Sequence, residues 1–129
     1  MTSLKVFIAE DSPSVLKALN LLLECIPQVQ VIGSAERAPR AAELIEKLKP
    51  DVAFLDFSLA EGSGLDVLKQ IKPALPAIIA IILTSHDDRW IRAKCKTAGA
   101  DHFLNKSSDF ERIPDLLRQI LREKELGSA

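Results

Sequence analysis

Leu4-Lys5-Val6-Phe7-Ile8-Ala9-Glu10-Asp11-Ser12-Pro13 sets the reading of the whole chain. Its first six residues are short, mostly apolar and partly β-branched, which suits a strand covered on both faces. Two acids end the run, and Pro13 fits a first helical turn with Ser12 or Asp11 as N-cap. Val15, Ala18, Leu19, Leu22, Leu23 and Ile26 then fall on one stripe of a 3.6-residue period, and Pro27 marks the stop. The unit is strand, acidic turn, amphipathic helix.

The same alternation runs outward to the C-terminus. Val29 to Gly33 reads as a second strand and Ala38 to Leu48 as a helix with Ala41, Leu44, Ile45 and Leu48 inward. Asp51 to Asp56 reads as a buried strand, and a loop through Glu61-Gly62-Ser63-Gly64 leads to a helix carrying Leu65, Leu68 and Ile71. Pro73 and Pro76 bracket the turn into Ala77 to Leu83, the most hydrophobic strand. Residues 88 to 98 read as a fourth helix stopped at Gly99, His102 to Leu104 as a short strand, and Ile113 onward as a last helix fading near Gly127. Five strands alternating with five helices imply an α/β fold, a parallel sheet covered on both faces. Right-handed crossovers favour the flavodoxin-like doubly wound (βα)5 arrangement, order 2-1-3-4-5.

Composition agrees with one ordinary domain. The 129 residues are 47% hydrophobic and 27% charged, with 17 basic against 18 acidic side chains. A net charge of −1 provides no global basic field for nucleic acid, so direct nucleic-acid binding is not expected. Cys25 and Cys95 have no metal-type spacing. The chain enters its first strand within a few residues, so neither a signal peptide nor membrane attachment is expected, and a cytoplasmic location is.

Doubly wound sheets place their sites at the carboxyl ends of the strands, beside the point where strand order reverses. Here the first strand ends in Glu10-Asp11, the third in Asp56 and the fourth in Thr84-Ser85, while Lys106 follows the fifth. Three crowded carboxylates resist ionisation unless a cation sits among them. Mg²⁺ prefers oxygen donors and fits this set better than zinc, which favours His or Cys. Each residue also has a plainer use: Glu10-Asp11 as helix-capping acids, Asp56 as a turn residue, Thr84 and Ser85 as caps of the fourth helix, Lys106 as a solvated lysine. The complementary set, brought to one crevice by four strand ends, argues for a site.

In Val6 to Ser12, Leu55-Asp56, Gly62 to Leu68, Leu83-Thr84-Ser85 and Gly99 to Lys106, the chain resembles the response-regulator receiver domains of two-component signalling, from about Leu4 to Arg122. The resemblance implies that Asp56 accepts a phosphoryl group from the phosphohistidine of a sensor histidine kinase or phosphotransfer protein. It implies Mg²⁺ held by Glu10, Asp11, Asp56 and the Ser58 backbone carbonyl, with Thr84 and Lys106 on phosphoryl oxygens. Phe103 falls at the family's aromatic switch position, and Ser58 and His86 fall where phosphoryl lifetime is tuned. The readout surface would be the fourth helix, fifth strand and fifth helix. It would address a downstream effector or an output domain, and a phosphorylation-linked homodimer stays open. Trp90 is either part of that surface or plain packing.

Two positions depart from the family pattern. Ser107 follows Lys106 where proline is usual, and Ala60 stands four residues beyond Asp56 where proline is frequent. Phe103 to Ser108 also resembles receivers attached to helix-turn-helix output domains. Residues 1–124 would then be the receiver, and 125–129 a tail or the start of a linker. A haloacid-dehalogenase-type phosphatase would carry a second Asp where Ser58 stands. A flavodoxin would not place Glu10-Asp11 against a phosphate. A degenerate receiver would lack some of the site residues, and all are present. The expected activity is that of a signalling domain that catalyses only its own phosphorylation and dephosphorylation, not of an enzyme acting on separate substrates.

Overall fold

The computed structural model describes residues 2–85 and 88–127. Five parallel strands form the sheet: β1 (Leu4–Ala9), β2 (Val29–Ala35), β3 (Val52–Asp56), β4 (Ile79–Thr84) and β5 (His102–Asn105). Their order is β2-β1-β3-β4-β5, the expected flavodoxin-like arrangement. The helices are α1 (Pro13–Glu24), α2 (Ala38–Leu48), α3 (Gly64–Ala74), α4 (Arg89–Thr97) and α5 (Ile113–Gly127).

Alternation along each buried strand feeds two separate cores. Phe7, Ala9, Ala53, Leu55, Ala80 and Ile82 face the side covered by α2 and α3. Val6, Ile8, Val52, Phe54, Ile81 and Leu83 face the side covered by α1 and α5. A strand apolar at every position is therefore a period-two strand serving both faces. Among its described residues α4 fully buries only Cys95, making it the least anchored helix.

Several boundaries differ from those read in the sequence. β2 continues to Ala35, after a register irregularity where Val6 pairs with Val31 and Phe7 with Gly33. Pro73 lies inside α3, in its last turn, where it removes one amide donor but the helix runs only one residue further, to Ala74. Thr84 and Ser85 do not cap α4; Asp88 does, its Oδ1 accepting the Trp90 amide at 2.7 Å. Two further features were not expected: a hairpin of Ser58–Leu59 with Gly62–Ser63, and a 3-10 turn at Phe110–Arg112 ahead of α5. No helix among the described residues is long and apolar enough to cross a membrane.

Candidate functional site

The strand ends converge as the switch-point rule requires. β1 and β3 are neighbours, so Glu10 and Asp11, just beyond β1, meet Asp56, the last residue of β3, with one ligand-capable oxygen from each within 4.8 Å of the others. Glu10 is 1% exposed and Asp56 4%, whereas Asp11 faces solvent. Lys106 reaches in from beyond β5: its Nζ is 2.7 Å from Asp56 Oδ2 and 2.8 Å from Glu10 Oε1. Its amide donates to the Thr84 carbonyl at 2.8 Å, joining the ends of β4 and β5. Thr84 is buried in the same crevice wall, 2% exposed.

The electrostatics follow from that crowding. Burial first, and then the neighbouring Asp56, push the Glu10 carboxyl above its ordinary range, although Lys106 and the Ser12 amide pull the other way. Burial draws the Lys106 ammonium down, but its contacts with Asp56 and Glu10 outweigh this and hold it above the ordinary lysine range. Glu10 Oε2 accepts the Ser12 amide at 3.2 Å. Oε1 is buried and, apart from the lysine's ionic contact, accepts no hydrogen bond of acceptable geometry. A buried carboxylate oxygen of this kind, beside two more carboxylates, fits a hard divalent cation such as Mg²⁺. Glu10, Asp11 and Asp56 would be its side-chain ligands.

The loop after Asp56 is held on several sides. Ser58 donates its amide to Asp56 Oδ1 at 3.2 Å, and its side chain is exposed. The Phe57 amide donates to the Leu83 carbonyl, and the Gly64 amide to the Phe57 carbonyl. Ala60 pairs with the β2–α2 connection. Its carbonyl accepts the Ala38 amide at 2.9 Å, satisfying a first-turn donor of α2, and its amide donates to the Glu36 carbonyl at 3.1 Å. A proline at 60 has no such donor, so Ala60→Pro should cost about 1 kcal/mol, read by chemical denaturation, even though it restores the commoner family residue.

Gly64 is a site residue that the motif reading missed. A Cβ there would stand 2.5 Å from the backbone oxygen of Asp56. Gly64→Ala should therefore displace the end of β3, lowering stability by about 1–3 kcal/mol in thermal unfolding. Gly127→Ala is the control, since a Cβ there meets nothing within 4 Å. The available signal was Ser63-x-x-Asp66, a capping box that the structure forms and that fixes where α3 starts relative to Asp56.

Phe103 is half-buried on β5 and packs toward the α2–α3 side. The Arg92 guanidinium lies over its ring, 4.6 Å from the centroid, a contact between α4 and β5 that the sequence did not announce. Trp90 is 65% exposed, with Lys94 Nζ 3.7 Å from its ring centroid, so it is not core packing. His86 lies outside the described residues.

This sheet order, with its acidic crevice and reaching lysine, defines a class of switch-point domain, and comparison with known proteins specifies the class. The pattern of the response regulator receiver domain matches residues 6–118. The transcriptional regulatory protein YdfI of Bacillus subtilis is 35% identical over 109 residues, 84% of this chain and 51% of that protein. A protein-glutamate methylesterase/protein-glutamine glutaminase of Carboxydothermus hydrogenoformans is 28% identical, over 95% of this chain and 36% of that protein. The chain thus spans about half the length of the first of these relatives and about a third of the second. Among solved structures, the receiver domain of the response regulator NarL from Mycobacterium tuberculosis superposes with a TM-score of 0.85 at 26% identity, covering 95% of this chain and 98% of that one. The isolated receiver domain of RcsB from Salmonella enterica serovar Typhimurium, solved with the phosphomimetic BeF3−, gives 0.81 at 26% identity, covering 92% and 90%. The chain belongs to the response regulator receiver domains of two-component systems.

Proposed function

We propose that this receiver takes a phosphoryl group onto Asp56 from the phosphohistidine of a sensor kinase or phosphotransfer protein. The observation that carries the reading is the buried Asp56 carboxylate, 2.7 Å from Lys106 and beside a buried Glu10 oxygen whose one close partner among the described residues is the same ammonium group. An Asp56 oxygen attacks phosphorus, the phosphorus–nitrogen bond breaks, and the imidazole leaves with its electron pair and is then protonated. Glu10, Asp11, Asp56 and the Ser58 carbonyl would hold Mg²⁺, which supplies charge neutralisation at the phosphoryl oxygens when bound. Lys106 adds a second positive charge and Thr84 a hydroxyl donor, the positioning and charge stabilisation that phosphoryl transfer chiefly requires.

The acyl phosphate adds about one to two negative charges at neutral pH. Drawing Thr84 toward it would open space for the Phe103 ring to turn, disturbing the Arg92 contact and with it α4. A helix with one fully buried residue is a suitable bistable element. The α4–β5–α5 face would carry the change to a downstream effector or an output domain, in the cytoplasm, with the receiver occupying residues 1–124. Ser58 and His86 are the positions that would set how long the phosphoryl group lasts.

Incubation with acetyl phosphate and Mg²⁺, followed by intact mass, tests the reading. One added phosphoryl group, not formed when a chelator replaces Mg²⁺, is the expected result. No adduct, with beryllofluoride also failing to bind in the presence of Mg²⁺, would overturn it.

A further inference from the structure

Lys106 is useful only if the loop carrying it is stiff, and that loop has no proline after the lysine. Its amides show how the stiffness arises. The Asn105 amide donates to Asp109 Oδ2 at 2.8 Å, and the Asp109 amide returns to the Asn105 carbonyl at 2.9 Å. The Asn105 side-chain oxygen accepts the Ser107 and Ser108 amides, at 2.8 and 3.3 Å. The remaining amide, that of Lys106, goes to the Thr84 carbonyl. All five amides from 105 to 109 are satisfied, four of them by the Asn105–Asp109 pair. Asp109 is fastened to the 3-10 turn ahead of α5 by Arg112, whose amide donates to the Asp109 carbonyl at 2.9 Å and whose guanidinium is 3.3 Å from Oδ1. The Asn105 amide holds the Asp109 carboxyl below its ordinary range, so it remains an acceptor at neutral pH. The Lys106–Ser107 bond is trans, like every peptide bond among the described residues.

We propose that Asn105 and Asp109 are positioning residues for Lys106: their reciprocal clasp aims the ammonium group at Asp56. This rests on the phosphoacceptor reading only for its kinetic consequence. The aiming itself is visible in the resting molecule, where Lys106 bridges Asp56 and Glu10. One consequence runs against the family pattern. The Ser107 amide is in use here, so Ser107→Pro, which installs the usual family residue, removes a bond from the clasp and impairs the site.

Two measurements on the full chain test the clasp. In the first, the metal-free protein is acetylated with an N-hydroxysuccinimide ester and Lys106 labelling is followed by peptide mass mapping. Asn105→Ala should speed Lys106 labelling several-fold, while labelling of Lys69 is unchanged and Asn105→Asp, which keeps the acceptor oxygen, restores protection. The second is the rate of phosphorylation by acetyl phosphate with Mg²⁺. Asn105→Ala should slow it about tenfold, within the range that small misplacements cost, with Mg²⁺ affinity held, and should cause no further slowing in a Lys106→Ala background. Unchanged labelling, equal slowing in both backgrounds, or failure of Asn105→Asp to rescue would each overturn the proposal. A wild-type protein that takes no phosphoryl group, yet shows the labelling change in Asn105→Ala, would sink the phosphoacceptor reading and leave the clasp standing.

Discussion

Asp56→Asn should abolish phosphorylation by acetyl phosphate and also raise the melting temperature of the metal-free protein. On the proposed reading the first effect follows from losing the nucleophilic oxygen: an amide is neutral and cannot form the acyl phosphate. The second follows from the charges in the crevice. Three carboxylates lie within 4.8 Å of one another, with one ammonium group among them. The strain is visible at Glu10, which burial and then Asp56 push above the ordinary carboxyl range. Asparagine keeps an oxygen for Lys106 and removes one negative charge, and the Lys106–Glu10 contact survives. The gain should be about 1 kcal/mol, a typical size for a single substitution that relieves such crowding. For a domain of this size that is a rise of about 3–5 °C. Calorimetry in chelator measures it directly, and a lower melting temperature would contradict the crowding argument. Added Mg²⁺ should shrink the difference, because only the wild type keeps all three side-chain ligands and gains fully from binding.

The fold was legible because its strands are buried on both faces. Runs such as Val52 to Leu55 and Ile79 to Leu83 are apolar at every position, and both surround themselves with amphipathic helices. The positions of Glu10, Asp56, Thr84 and Lys106 were legible for a related reason: each stands at or just beyond a strand end, and strand ends of this sheet order meet. What escaped was whatever depends on loop backbone. Ala60 and Ser107 read as departures, yet each uses an amide that proline lacks, and that use appears only once Glu36 and Asn105 are placed opposite them. Pro73 read as one bracket of the turn into the fourth strand, whereas α3 runs one residue past it. Arg92 over Phe103 joins two elements whose relative rotation no local pattern encodes.

Lys106→Ala should move stability in the opposite direction from Asp56→Asn, although both remove one charge from the same cluster. Without the lysine, Glu10 Oε1 and Asp56 Oδ2 face each other in a buried crevice with no cation between them. Breaking a buried pair by deleting one partner costs about 3–5 kcal/mol when the survivor is fully enclosed. The Lys106 side chain keeps 15% of its exposure, and Glu10 can take up a proton, so about 2–3 kcal/mol is expected here. Thermal unfolding in chelator should show the loss. Mg²⁺ should restore more stability to Lys106→Ala than to the wild type, since a metal ion then supplies the positive charge without competing against the ammonium group. Phosphorylation should nonetheless stay slow, by about 10²–10³-fold, because on the proposed reading the ammonium group also stabilises the oxygens of the phosphoryl group in transfer, which a metal ion held by Glu10, Asp11 and Asp56 does not replace. A variant that Mg²⁺ stabilised and that also accepted phosphoryl groups at the wild-type rate would reduce Lys106 to a structural counter-ion. The two substitutions together therefore separate a cation that merely neutralises the crevice from one that acts in the transfer.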